Sequence, residues 1–296
     1  MVLILRNGGS QSPDRWLREP RNNHKYSILD IDGAADVVNN LLDKLGTAVG
    51  WGVNRETPER IAIATYIEDI KNSDYDSLLK AALISQAKKT IKEYCNQKDV
   101  VGFAINELRE GANPQKVDDD WIVLFMDQAR LISDEVFQSI WGKILAEECN
   151  DNNSIPKKLL YTLAQMDRED AETFTTLCSL AVKVDDEYEP VIWCHRLDEY
   201  KKWGITFDKI ISLIALGLIE ADLGPIAPGY VIESESNPIK VHYFDSEYEM
   251  EKETKTVRVG NVLFTKSGQA LHRAISVEKK EGFFEEYCLS MWRKEM

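Results

Sequence analysis

Residues 118–148 read DDDWIVLFMDQARLISDEVFQSIWGKILAEE, and this stretch decides the fold. Its leading aspartates supply a cap and a negative first turn, where a helix leaves N–H groups unpaired. Trp121, Leu124, Phe125, Ala129 and Leu131 follow at the spacing of an amphipathic helix. Ser133-Asp134-Glu135 caps a second helix bearing Val136, Phe137, Ile140, Trp141, Ile144 and Leu145. So short a link between two apolar stripes predicts an antiparallel hairpin. The polar run Asn150–Ser154 closes it. Pro156 then opens a helix with Leu159, Leu160 and Leu163, and Asp167 begins another that runs through Phe174, Leu177 and Val182. Helices in such tight succession predict a bundle.

Upstream, Met1 to about Asn23 reads as a lead-in with one short strand at most. From Asp30 to Val53 the apolar residues Val37, Val38, Leu41, Leu42, Leu45, Ala48 and Val49 make a helical stripe, weakened by Gly46, Gly50 and Gly52. Its polar face lacks the Lys/Arg enrichment of a membrane-surface helix, so packing on the chain's own core is the preferred reading over a membrane or a partner helix. Thr57-Pro58-Glu59 starts a helix carrying Ile61, Ile63, Ala64, Tyr66, Ile67 and Ile70. A long helical pattern runs from Tyr75 to about Gln97, and a shorter one from Val100 to Glu110, stopped by Gly111 and Pro114.

Beyond Asp185 the pattern changes. Pro190–Trp193 reads as a strand, and Thr206 caps a helix with Phe207, Ile210, Ile211, Leu213, Ile214 and Leu216 that ends at Gly217. Strands are predicted at Tyr230–Glu233, Ile239–Phe244 and Thr256–Phe264, the last two separated by an acidic loop, Asp245–Glu253. Thr265 opens a helix through Leu271 and Ile275, and a final helix runs from Phe283 to Trp292. The order "GLIEAD", β ribbon, "FTKSGQALHRA" is that of a winged helix. The expected fold is therefore mainly α with a small α+β part: a lead-in (1–29), a helical bundle (30–185) and a C-terminal winged-helix-like domain (186–296).

Composition limits the function classes. Hydrophobic residues make up 44% of the 296, enough for a core without metal or disulfide staples. The formal net charge of −14 opposes binding to a polyanion unless positive charge is segregated, and the nearest basic run is Lys88–Lys92. Five scattered cysteines, none at metal-knuckle spacing, suit a reducing compartment, and no secretory leader or roughly 20-residue apolar span is legible. A cytoplasmic protein is expected.

Reactive constellations are sparse. His24, His195, His242 and His272 lie on unrelated elements, which predicts no metal site. Cys194-His195 are neighbours on an expected strand and would point apart. The acid clusters Asp118–Asp120, Glu147-Glu148 and Asp185-Asp186-Glu187 sit at helix ends or loops, where capping or solvation explains them; Glu147-Glu148 lies at the unfavourable C-terminal end. NGGSQS at residues 7–12 lacks the lysine and spacing of a phosphate loop. No cofactor is expected. On the presumed reading helix, Asp208, Lys209 and Ser212 are the candidate interaction residues. One lysine beside one aspartate is a weak DNA reader, so protein contact is the preferred use.

The segments DDDWIVLFMDQA (118–129), ISDEVFQSIWGKILAEE (132–148) and LLYTLAQMDREDAETFTTL (159–177) resemble the bacterial domain of unknown function 2806 family. They are also similar to the abortive-infection alpha-type proteins. Val136 stands where that family often has a second acid, and Gly142 in place of alanine. The resemblance implies a helical bundle with a C-terminal wing and carries over no catalytic residue; in it Trp121, Phe125, Trp141 and Leu145 read as core, Asp120 and Ser133 as caps. The function expected from residues and resemblance together is a non-enzymatic interaction protein, with a protein partner or a second copy, in phage defence. The alternatives are a winged-helix DNA-binding regulator and an acid-dependent hydrolase or nuclease built on Glu147, Glu148 or the Asp118 cluster.

Overall fold

Around Asp118–Glu148 the caps and stripes become helices where the spacing puts them. The computed structural model describes residues 35–52, 59–224, 229–236, 238–250 and 256–295, all within one compact unit, Asp32–Met296. The lead-in expected at 1–29 and NGGSQS lie outside the described residues. The helices are α1 (Ala35–Val49), α2 (Glu59–Asn72), α3 (Ser77–Glu107), α4 (Asp119–Ala129), α5 (Glu135–Asn150), α6 (Lys157–Gln165), α7 (Arg168–Cys178), the single turn α8 (Leu197–Tyr200), α9 (Phe207–Ala215), α10 (Lys266–Ala274) and α11 (Leu289–Glu295). The strands are β1 (Ala181–Val184), β2 (Glu187–Pro190), β3 (Ile219–Ala221), β4 (Tyr230–Glu233), β5 (Ile239–Tyr243), β6 (Ser246–Met250), β7 (Thr256–Gly260) and β8 (Val262–Phe264). Among the described residues no helix is long and apolar enough to cross a membrane.

The side chains that cap α4 and α5 are Asp118, which accepts from the Trp121 N–H at 2.9 Å, and Asp134, which accepts from Val136 and Phe137 at 3.0 and 3.3 Å. The expected caps Asp120 and Ser133 give way to Asp118 and Asp134, because these stand just before the helices, where a side-chain oxygen reaches the first amides. The two helices run antiparallel. Trp121 at the start of α4 donates its indole N–H to Ile155 O beyond the end of α5, and Gln138 near the start of α5 donates to Ile132 O beyond the end of α4. Phe125 packs between Trp121 and Trp141 at 5.1 and 5.3 Å, forming the centre of the core.

The main partner of α5 is α3. Gly142 makes that approach possible, since a Cβ there would stand 2.4 Å from Phe103 Cβ and 2.8 Å from Val100 O. The expected break in α3 near Gln97 is absent. The Asn96 and Gln97 amides donate to Arg130 O (2.7 Å) and Met126 O (2.9 Å), pairing carbonyls at the C-terminal end of α4 instead of competing for their own backbone. The α1 stripe packs inward, with Leu41 and Leu45 buried on the α4 side.

The β part departs further from expectation. Helix α7 stops at Cys178, and the β-branched Val182 lies in β1. The strand expected at Pro190–Trp193 is centred earlier, at β2, although Ile192 still pairs with Gly260. Tyr230–Glu233 and Ile239–Phe244 are not neighbours: β4 pairs with β7, β3 with β8, and β5 joins a sheet of order β2-β1-β5-β6. Most of the acidic loop Asp245–Glu253 is strand, because Glu247 and Glu249 are the outward face of β6, both salt-bridged to Lys240, while Met250 turns inward. The two-residue turn before it rests on Phe244 at φ 51°, a position the usual Asn/Gly signal does not mark. Thr206 stands at the N-cap of α9 without a side-chain cap bond, and the final helix begins as a π-helical turn, Phe283–Cys288. The boundary drawn after residue 185 coincides with the β1–β2 turn, and hydrogen bonds such as Thr162 Oγ1 to Leu216 O (3.1 Å) link the two sides.

Candidate functional site

The acid clusters do not converge. Asp118 is held below the usual carboxylate range by the Lys157 ammonium, 2.8 Å away, and by the Trp121 amide, while Asp119 and Asp120 are exposed. Glu147 and Glu148 diverge. Glu147 meets Arg109 at 3.0 Å and Arg273 at 4.0 Å. Glu148, 2% exposed, accepts from the Asn153 and Ile155 N–H groups at 2.8 and 2.9 Å and so pins the loop after α5. Burial raises its pKa against the pull of those two amides. Asp185 takes hydrogen bonds from Ser234, Glu235 and Ser236, holding the end of β4 to the β1–β2 turn. Cys194 is in a 3-10 turn rather than a strand, and burial, helped by Asp222, pushes its thiol up to about 11. A thiol so protonated is no nucleophile near neutral pH. Among the described residues no group of three or more His, Cys, Asp and Glu is placed to hold a metal ion.

Of the interaction candidates on α9, two are committed within the chain. The Lys209 ammonium donates to Gly204 O at 3.0 Å, and the Ser212 hydroxyl to Asp170 at 2.7 Å, the same carboxylate that completes the capping box of α7. Asp208 is exposed. Beside it Phe207 and Ile211, one helical turn apart, are 52% and 41% exposed. The outward face of α9 is thus apolar with one acid.

Sequence reasoning missed Glu189. It lies on β2, 7% exposed, at the edge of a groove of about 470 Å³ that Asn153, Ser154, Lys266, Gln269 and Arg273 also line. Its carboxylate accepts from the Phe264 N–H at 2.7 Å and from the Gln269 amide at 2.9 Å, joining β2, β8 and α10. Burial lifts its pKa to about 7 in spite of both donors. One turn along α10, His272 is kept neutral by burial and by Arg273, its pKa lowered to about 4, with its ring 4.6 Å from Tyr188. The available signal was one acid between Tyr188 and the apolar run Pro190–Trp193.

A family model described as protein of unknown function (DUF2806) matches residues 84–288, more than half of the chain. No curated protein and no solved structure matches it. The matched segment takes in the α3–α5 contact, the acid ties and the Glu189 groove, and on that span the chain belongs to the DUF2806 family.

Proposed function

We propose that the chain works by binding another protein, with the outward face of α9 as the contact surface and no chemical step of its own. The observation that carries this reading is the division of labour on α9. Lys209 and Ser212 are engaged inside the chain, while Phe207 and Ile211 remain exposed. Apolar residues that meet solvent together are characteristic of a protein contact, whereas phosphate recognition needs free cations and amides. The overall charge of −14 favours the same side. A photo-crosslinking residue at position 211 should yield a discrete protein adduct in cells, and Phe207→Asp with Ile211→Asp should abolish it. Absence of any adduct, with saturable binding to duplex DNA at about 50 mM salt, would contradict the reading.

A second reading is a winged-helix DNA-binding regulator. The arrangement that favours it is the antiparallel pair β3–β8 lying between α9 and α10 in chain order. The same low-salt titration decides it. The setting we propose is bacterial phage defence, supported by the likeness of residues 118–177 to abortive-infection alpha-type proteins. Deleting the gene should raise phage plating several-fold; unchanged plating across a phage panel would contradict it.

A further inference from the structure

The groove beside Glu189 has two walls of opposite charge. On α10, Lys266, Gln269 and Arg273 stand three and four residues apart, so they share the face of the helix that lines the groove. On β2, Glu187 and Glu189 are two residues apart and share one face of the strand, Glu187 exposed and Glu189 buried. Among the described residues the Lys266 side chain has no hydrogen bond or ion pair. Arg273 has only Glu147 at 4.0 Å, a carboxylate that Arg109 already meets at 3.0 Å. Asp186, at the same rim, is met by Lys183 at 3.5 Å. Two cations thus face two carboxylates in one groove, and no ion pair joins them.

Both walls are fixed by a buried carboxylate. Glu148 holds the α5–α6 loop through the Asn153 and Ile155 N–H groups. Glu189 is held by the Phe264 N–H and by Gln269, whose amide nitrogen also donates to Tyr188 O at 2.6 Å. The amide oxygen of Gln269 is left to accept. A groove set in this way takes a ligand with little ordering of its own side chains, and about 470 Å³ is the size of a small-molecule site.

Charge and length narrow what fits. A simple anion meets the β2 acids, and a simple cation meets Arg273 and Lys266. A molecule that carries one of each matches both walls. From Gln269, which touches Glu189, to Arg273 is one helical turn, about 6 Å along the axis. In a single α-amino acid the amine and carboxylate share one carbon and cannot span this. Two extended residues reach about 7 Å. We propose that the groove binds a short peptide by both its free ends, the terminal amine at Glu187 and Glu189 and the terminal carboxylate at the Arg273 guanidinium. The planar guanidinium suits a carboxylate, Gln269 accepts from the peptide N–H between the ends, and Lys266 keeps the groove near neutral. None of these residues is on α9, so the proposal does not rest on that surface.

Calorimetric titration of the full chain with dialanine tests it. Binding with a Kd of about 1 mM or tighter is expected. N-acetyl-dialanine, dialanine amide and inorganic phosphate, which each lack one of the two charged ends, should bind at least about tenfold more weakly. Arg273→Ala should cost about tenfold with the circular dichroism unchanged. The amine needs Glu189 ionised, and the charged groups around that carboxylate are Glu187 on β2, Glu220 on β3, and Lys266 and Arg273 on α10, with His272 neutral in this range. Affinity should therefore rise about tenfold from about pH 5.5 to about pH 7, below the pKa of the terminal amine, and Glu189→Gln should remove that rise. No heat at about 10 mM dialanine, equal binding of a blocked peptide, tighter binding of phosphate, or an unchanged affinity in Arg273→Ala would each overturn the proposal. None of those outcomes bears on crosslinking from α9.

Discussion

At the scale of single residues, the informative groups are those whose ionisation the fold shifts. Glu189 has a folded pKa raised to about 7, from an unfolded value near 4.3, because burial outweighs its two donors. The folded state therefore holds a proton that the unfolded state releases. The associated stability is fully present below about pH 4.3 and is lost as pH rises through about 7, by an amount on the order of 3 kcal/mol. His272, lowered to about 4, has the opposite sign: its contribution is present above the unfolded pKa and lost as pH falls. Comparison with Glu189→Gln cancels the histidine. In urea denaturation, wild type should gain on the variant as pH drops from about 8 to about 5, and parallel curves would show that Glu189 does not titrate in this range. The caps make a second residue-scale test. Asp134→Ala should cost about 1 kcal/mol and Ser133→Ala much less, since the Asp134 carboxylate takes both amides. Equal losses would contradict that assignment.

Between elements, the closest fit is α3 against α5. Gly142→Ala should destabilise by about 1–3 kcal/mol, because the added methyl meets Phe103 Cβ and the backbone at Val100 and Ala104. Gly102→Ala, one helix away, meets nothing within 4 Å. It should be neutral or stabilise by up to about 1 kcal/mol through helix propensity alone. Thermal denaturation separates the two, and a neutral Gly142→Ala would mean that the helices part without cost. The same scale shows how far the sequence could be read. Helices and their starts were legible because stripes and caps are local, set by residues three or four apart. Strand β6 was not, because outward acids at every second position also look like an acidic loop. The continuity of α3 was hidden in the same way, since the partners of Asn96 and Gln97 lie 34 and 29 residues on. The candidate site was less legible still. Asp208, Lys209 and Ser212 were found by position on α9, but the use of Lys209 and Ser212 inside the chain depends on contacts that spacing does not encode, and Glu189 becomes distinctive only once β8 and α10 close over it.

For the molecule as a whole, polar chemistry that resembles reactive clusters in the sequence is distributed as internal ties. Glu148 holds a loop, Asp185 a strand end, Asp118 a helix start, and Glu147 a pair of arginines. Among the described residues, large apolar side chains turned outward lie on α9 (Phe207, Ile211), where α2 meets α3 (Tyr66, Tyr75, Leu78, Leu79) and on the α4–α5 hairpin (Val123, Leu131, Val136), with Tyr161, Val231 and Phe244 elsewhere. A carboxylate that holds a fold together should reveal itself through stability: Glu148→Gln should lower the thermal midpoint by several degrees, and an unchanged midpoint would argue against the tie. The central claim is that α9 meets a protein, and site-specific crosslinking measures it most directly, with position 211 compared to position 123, which is exposed to a similar degree on α4. A discrete protein adduct from 211, absent from 123 and lost on Phe207→Asp, is the predicted result. Equal labelling from both positions, or adducts to nucleic acid alone, would contradict it.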